Sequence, residues 1–257
     1  MNYFKVKKKK SITFLKLDRG EKYNALHVEM LREFADIVEN VKNDEDTQIV
    51  VLSGAGGGFC AGGDVTMMKE VSDPEVYDQV MNDIERIVTG FYSMPKIVLA
   101  ALHGPVVGLG LSIALSADYL IAEANAKLSM NFIGIGLAPD GGGHFFLEKR
   151  LGTHRAKQFA WQGENLQAEE AYDHQLIDSV FEKDIQLEAE KLAEKWTVRP
   201  LQSMIASKKI YHQYGMDQLL QYLAKERRSQ WKLRQTSDHK EGVQAFLEKR
   251  EPKFKGK

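Results

Sequence analysis

The sequence predicts an α/β domain followed by a helical C-terminal part. Three observations carry this expectation. Short apolar runs alternate with amphipathic helical patterns over the first 150 residues. Glycine-rich loops follow several of those runs. From about residue 153 onward the pattern is almost wholly helical and more highly charged. Strands that alternate with helices argue for parallel pairing in one sheet.

Residues 12–17 (ITFLKL) read as a strand, and 18–25 as a polar loop. Val28, Leu31, Ala35, Val38 and Val41 recur at helical spacing, so 28–42 is expected to be an amphipathic helix. Residues 49–52 are a short continuous apolar run, the pattern of a strand buried on both faces. A glycine-dense loop over 54–63 follows, then a helix over 75–92. Residues 97–102 form another buried strand, and 104–110 a second glycine-rich loop that leads into a helix. Two further strands fall at 119–122 and 128–131, a third glycine-rich turn at 139–143, and an apolar helix near 145–150. Arg199-Pro200 marks a break between C-terminal helices, since proline disfavours helix at the residue before it. The lysine run at 7–10 reads as a solvated strand end or loop.

Lys and Arg number 35 against 36 Asp and Glu, a net charge of −1 that gives no general attraction to nucleic acid or anionic membrane. The one cysteine, Cys60, excludes an internal disulfide and a Cys-rich metal cage, and no metal site is expected. A lone thiol fits a reducing compartment. The basic N-terminal stretch is followed by an apolar run too short and mixed for a secretory signal, so a cytoplasmic location is expected. Residues 97–117 carry no Lys, Arg, Asp or Glu and are about as long as a membrane span. They also contain a GxxxG match, Gly104-Pro105-Val106-Val107-Gly108. Pro105, His103 and several glycines argue instead for a buried strand, a loop and a buried helix.

Three loops hold most of the unusual residues: GAGGGFCAGGD (54–64), HGPVVGLG (103–110) and IGLAPDGGG (135–143). Glycine clusters after buried strands let backbone N–H groups approach a ligand closely. Neither GxxxxGK[ST] nor a strict GxGxxG occurs in them, which disfavours a nucleoside triphosphate or dinucleotide site. Paired glycine-rich loops suit an oxyanion hole, in which two backbone donors meet one carbonyl oxygen.

On these residues the chain resembles the crotonase superfamily of enoyl-CoA hydratases and isomerases. The match runs nearly end to end. It includes Asn24-Ala25-Leu26, Phe59-Cys60-Ala61-Gly62-Gly63-Asp64, His103-Gly104-Pro105 with Gly108 and Gly110, and Ala117-Asp118. It continues through Ile135-Gly136-Leu137 with Pro139-Asp140-Gly141-Gly142, and Glu241-Gly242 with Phe246 and Glu248-Lys249-Arg250. The resemblance implies a spiral of ββα units over 1–195, with a helical region over 196–257 that builds a homotrimer or a dimer of trimers. It implies an acyl-CoA thioester as ligand, with no cofactor beyond the coenzyme A of the substrate. The oxyanion donors carry over to the N–H groups of Gly63 and Leu109, where Leu109 departs from the glycine of many relatives. The backbone of Ala61 and Val65 would face the adenine, and Lys249 matches a position near the CoA phosphates.

The typical hydratases of this family carry two glutamates, whose register falls here on Ser112 and Phe132. Hydration needs a base for water and a proton for Cα, whereas moving a double bond from the 3- to the 2-position needs one shuttling base. The resemblance to family isomerases at the IGLxPD turn makes Asp140 that base. An apolar pocket lined by residues such as Phe132 would raise its pKa. Asp140 also precedes a helix, where Asp is a favoured N-cap. Asp64 opens a helix and reads first as its cap, though it counts with Ala61, Val65, Phe132 and Lys249 among the substrate- or CoA-binding positions. His144 has two readings, a second proton donor beside Asp140 or a partly buried helix residue. Cys60 has no base partner in sequence, and Ser112 has no GxSxG elbow, so neither reads as a nucleophile. The alternatives to an isomerase are a hydratase working through Asp140 and His144, and a non-catalytic acyl-CoA binder.

Overall fold

Period-2 alternation of apolar side chains organises the molecule around one sheet. A computed structural model describes residues 3–68 and 70–257. Met1 and Asn2, which begin the N-terminal stretch read as lacking a secretory signal, lie outside the described residues, as does Lys69. The strands are β1 (Phe4–Lys9), β2 (Ile12–Leu17), β3 (Ile49–Gly54), β4 (Ile97–Leu102), β5 (Pro105–Val107), β6 (Tyr119–Glu123), β7 (Lys127–Ser129), β8 (Leu166–Gln167) and β9 (Ser179–Phe181). The helices are α1 (Val28–Asn43), α2 (Pro74–Ser93), α3 (Leu109–Leu115), α4 (Gly143–Gln162), α5 (Ala168–Asp173), α6 (Ile185–Thr197), α7 (Leu201–Arg234) and α8 (Ser237–Leu247).

The main sheet runs β1-β2-β3-β4-β6-β9, and a small second sheet runs β5-β7-β8. In the main sheet every pair is parallel except β1 with β2. Along β3 and β4, Val50, Leu52, Val98, Ala100 and Leu102 enter one core, which takes in the buried faces of α1 and α2. Their neighbours Ile49, Val51, Ile97, Leu99 and Ala101 enter the other, closed by Ile185, Ala189, Ala193 and Trp196 of α6. Successive side chains point to opposite faces, so a strand covered by helices on both sides must be apolar throughout.

The ββα repeat is visible in β4-β5-α3 and β6-β7-α4, each spending one strand on the main sheet and one on the small sheet. The apolar stretch over 97–117 is thus two strands and a short buried helix, and no helix among the described residues is long and apolar enough to cross a membrane.

The lysine run is the exposed end of β1 and the turn after it, as read, and Lys8 pairs with Asp44 and Lys9 with Glu190 and Glu194, so a charged outer strand blunts the sheet edge. Two local readings need correction. The helix expected near 145–150 extends over Gly143–Gln162 and is interrupted at Gly152. The C-terminal part carries two short strands, β8 and β9, too brief to leave a periodic signal. The break at Pro200 separates α6 from α7.

Candidate active site

Backbone pairing brings the first two glycine loops together. After β3 the chain returns so that Cys60 N–H donates to Pro105 O at 3.1 Å and Val107 N–H donates to Cys60 O at 2.9 Å. On the other side Leu26 N–H donates to Gly62 O, and Asp64 N–H donates to Leu26 O, both at 2.8 Å. Asn24 is fully buried, and its Nδ2 donates to the carbonyls of Ala55, Gly58 and Phe59. One side chain therefore pins the loop from below. Gly62 has φ +90°, and a Cβ there would lie 2.8 Å from Val107 O and 3.6 Å from Leu109 N. Only glycine lets the two loops approach this closely.

Gly63 and Leu109 line a single cavity of about 370 Å³. Among the described residues neither amide N–H donates to a protein acceptor. Leu109 is the first residue of α3, so its N–H is one of the donors that a helix start leaves unspent. Two free backbone donors opening on one cavity are what a carbonyl oxygen gaining negative charge requires.

Asp140 lines the same cavity, its residue only 6% exposed. The adjoining Gly141 packs against the Leu109 side chain, for a Cβ there would fall 2.7 Å from Leu109 Cδ1. The Asp140 Oδ2 accepts a hydrogen bond from Gln230 Nε2 at 3.0 Å, while Oδ1 is buried without a partner among the described residues. Burial pushes the carboxyl up to about 7, and the nearby Glu226 charge adds to this, with Arg234 and His144 opposing.

The N-cap reading of Asp140 does not hold, because Glu226 of α7 occupies the start of α4. Its Oε2 accepts from Gly142 N–H at 2.8 Å, and its Oε1 from His144 N–H at 3.1 Å. The same Oε1 lies 2.7 Å from His144 Nδ1. His144 consequently turns away from Asp140 and lines a different cavity of about 650 Å³, between α4, α7 and the C-terminal tail. We assign the site to the smaller cavity because it holds both glycine loops and the buried carboxyl.

Ala61, Val65 and Phe132 line the smaller cavity as well. Asp64 borders it, but its carboxylate is engaged. Arg19 lies 2.7 Å from Oδ2, and Thr66 donates to Oδ1 through both its N–H and its hydroxyl. Burial raises the Asp64 pKa, and those partners outweigh it to hold the carboxyl below its usual range. Lys249 does not line the cavity, although Phe246 and Leu247 just before it do. Cys60 is buried with its thiol pushed up to about 12 by desolvation, consistent with packing rather than nucleophilic chemistry. Ser112, at one of the two glutamate registers, is fully buried and its hydroxyl meets Met130 Sδ at 3.8 Å.

Sequence reasoning missed Glu226, Gln230 and Arg234, which α7 brings to the third turn. The available signal is a stripe. Leu219, Leu223, Glu226 and Gln230 are spaced by three or four residues and are all buried, so polar residues continue an apolar helix face.

Comparison with known proteins gives the family. The family described as enoyl-CoA hydratase/isomerase matches residues 7–257. YhaR of Bacillus subtilis, whose name assigns it provisionally to the enoyl-CoA hydratases/isomerases, is 46% identical over 93% of each chain. A trans-2-decenoyl-[acyl-carrier-protein] isomerase of Streptococcus mutans is 32% identical over 96% of this chain and 95% of its own. The crystal structure of an enoyl-CoA hydratase from Mycobacterium avium subsp. paratuberculosis superposes with a TM-score of 0.90 at 29% identity, covering 99% of both chains. With its fold, its end-to-end sequence match and its paired glycine loops in agreement, the chain belongs to the enoyl-CoA hydratase/isomerase family of the crotonase superfamily, which acts on acyl-CoA thioesters.

Proposed function

We propose that this protein isomerises a 3-enoyl-CoA to the 2-enoyl-CoA, with Asp140 as the single base. The observation that carries the reading is one cavity holding a buried carboxyl with a bare oxygen and two unspent backbone donors. The two registers where typical hydratases carry glutamate hold Ser112 and Phe132. His144 is engaged by Glu226 outside the cavity, and the Asp64 carboxylate that borders it is tied to Arg19 and Thr66, which supports a single-base reading. One relative is named an isomerase and one a hydratase, so the reaction is argued from the residues.

The chemistry follows from the geometry. The thioester oxygen accepts from the N–H groups of Gly63 and Leu109. Asp140 removes a proton from C2, and the electron pair moves into the carbonyl to give a dienolate. The two amides stabilise that oxyanion without solvent reorganisation. Protonated Asp140 then returns the proton to C4, the double bond settles between C2 and C3, and the carboxylate is regenerated. An ordinary aspartate is a weak base; one raised to about 7 abstracts the proton more readily and still ionises near neutral pH. The substrate's coenzyme A is the only cofactor in this reading, which also takes the enzyme to be a cytoplasmic trimer or hexamer.

The test is incubation with a 3-enoyl-CoA and, separately, a 2-enoyl-CoA, in H₂O and D₂O, with products followed by mass spectrometry and NMR. The expected result is conversion of the 3-enoyl form at constant mass in H₂O, with little deuterium at C4 in D₂O because Asp140 returns the proton it took from C2. Gain of one water by the 2-enoyl substrate would replace the isomerase reading with a hydratase. Binding of both without reaction would replace it with an acyl-CoA binder.

A further inference from the structure

Arg234 is the last residue of α7, and it lines the cavity that holds Asp140. Its guanidinium offers five N–H donors. Among the described residues one of them is used, from Nη1 to the sulfur of Met68 at 3.2 Å, and a thioether is a weak acceptor. Its Nε is buried without a partner. The group lies over the Tyr77 ring, 5.6 Å from its centroid, and no carboxylate among the described residues lies within ion-pair distance. Buried charges are ordinarily paired and hydrogen-bonded, because desolvating them is costly. A cation at a helix C-terminus gains from the backbone dipole. That gain leaves the N–H donors unspent.

The surroundings say what would spend them. The cavity lining includes Met67, Met68, Val80, Met81 and Ile84, of which Met68 touches Arg234, and these side chains offer no oxygen acceptor. The acid that acts on Arg234 through its charge is Asp140, which lines the same cavity. If Asp140 serves C2 and C4 of the acyl chain, a group beside Asp140 and farther along faces the carbons beyond C4. We infer that Arg234 receives an anionic oxygen group at the far end of the acyl chain, so that the preferred ligands are mono-CoA thioesters of short dicarboxylic acids. This rests on reading the cavity as the acyl-CoA site, and is independent of which reaction Asp140 performs. A planar carboxylate matches the guanidinium fork in a bidentate pair. The same chemistry exists in the phosphates of coenzyme A. The partial burial of Arg234, with its Nε shielded from solvent, favours the acyl carboxylate, since phosphates carry their charge best at the solvent end.

Saturated ligands test this without any turnover. The dissociation constants of the adipic acid mono-CoA thioester and of hexanoyl-CoA are measured by calorimetry on the full-length wild-type protein and on Arg234→Met. The corresponding pantetheine thioesters, which lack the nucleotide phosphates, are measured alongside. The wild type is expected to bind the carboxylated chain about ten- to a hundredfold more tightly than hexanoyl-CoA, the range of a hydrogen-bonded charge pair. In Arg234→Met this ratio should collapse towards one, and the pantetheine thioesters should reproduce both ratios. A wild-type ratio near one, or a ratio that survives Arg234→Met, overturns the inference. Equal weakening of both CoA thioesters, absent with the pantetheine forms, assigns Arg234 to a CoA phosphate and overturns it too. If Arg234→Met does not fold, Arg234→Lys is measured; its point charge should keep part of the preference, and an undiminished ratio counts against the bidentate pair. Because none of these ligands can be isomerised, failure of the isomerase reading leaves this result standing.

Discussion

The Gln230 side chain holds Asp140 by one oxygen and leaves the other bare. Gln230 Nε2 donates to Asp140 Oδ2 at 3.0 Å and to Ala138 O at 2.6 Å. Both partners are acceptors, so the amide nitrogen must be the atom that faces them. The result is a carboxyl whose Oδ1 is buried and left without a partner among the described residues. Gln230→Met keeps the volume and removes the donor. With the donor to the charged form gone, the carboxyl should become harder to ionise. The pH midpoint of kcat/KM on a 3-enoyl-CoA should move above about 7. At pH 7 kcat should fall about tenfold, the cost of a hydrogen bond to a charged group. An unchanged midpoint in the pH–rate profile would reduce Gln230 to a packing residue.

Asp140→Asn asks whether the carboxyl is the base. Isomerisation of a 3-enoyl-CoA should fall by a factor of about 10² to 10⁴, the usual contribution of a positioned general base. Binding of a saturated acyl-CoA should persist, because in the proposed reaction Asp140 serves only C2 and C4 and the thioester oxygen is held by backbone donors. Initial rates and calorimetry together decide it. Turnover that survives the substitution would remove Asp140 from the chemistry.

Much of this site was legible in the sequence because it is built from backbone. The loops that carry Gly63 and Leu109 announce themselves by glycines that the chain needs in order to approach itself. The strand–helix alternation is equally legible, since β3 and β4 are buried on both faces and must be apolar throughout. The supporting side chains are a different matter. Glu226, Gln230 and Arg234 lie in α7, more than eighty residues beyond Asp140, and meet it only through tertiary packing. No local pattern links Glu226 to the start of α4. The likeness of Asp140 to an N-cap was a local signal that a distant carboxylate overrode. Of the two readings of His144, the structure agrees with the partly buried helix residue, whose ring follows Glu226 rather than the turn that precedes it.

Glu226 tunes Asp140 through charge. It caps α4 through Gly142 and His144, and its charge helps hold the Asp140 pKa up. Glu226→Gln keeps an oxygen for the cap and removes the like charge. The pH–rate midpoint should therefore fall below about 7, opposite in sign to Gln230→Met. A midpoint that stays or rises would show that burial alone sets the Asp140 value.

Gly62→Ala tests the proposed oxyanion hole by separating the two glycine loops. The added Cβ would lie 2.8 Å from Val107 O at a φ of +90°, so the loops must move apart or the backbone must change. Loss of one oxyanion donor costs about 10²–10³ in kcat. Turnover should fall by that order while circular dichroism shows the fold retained, since the sheet and its helices lie elsewhere. Full activity in a folded Gly62→Ala protein would argue that Gly63 and Leu109 do not share one oxygen.

Asp140 also leaves a mark on stability, and its sign is fixed. In the folded chain its carboxyl is raised from an ordinary 3.8 to about 7. Between those values the native state holds a proton that the unfolded chain has lost, so stability falls as pH rises through the window. The contribution is complete below about pH 4 and gone above about pH 7. By linkage the loss is on the order of 4 kcal/mol. Asn cannot ionise, so Asp140→Asn escapes it. The stability difference between Asp140→Asn and wild type should grow in favour of the variant from pH 4 to pH 8 in urea denaturation. Comparing the two proteins cancels most other titrations, because they share every other group. A difference that stays flat across that range would mean that the carboxyl ionises as easily inside the fold as outside. The base strength assigned to Asp140 would then lose its physical source.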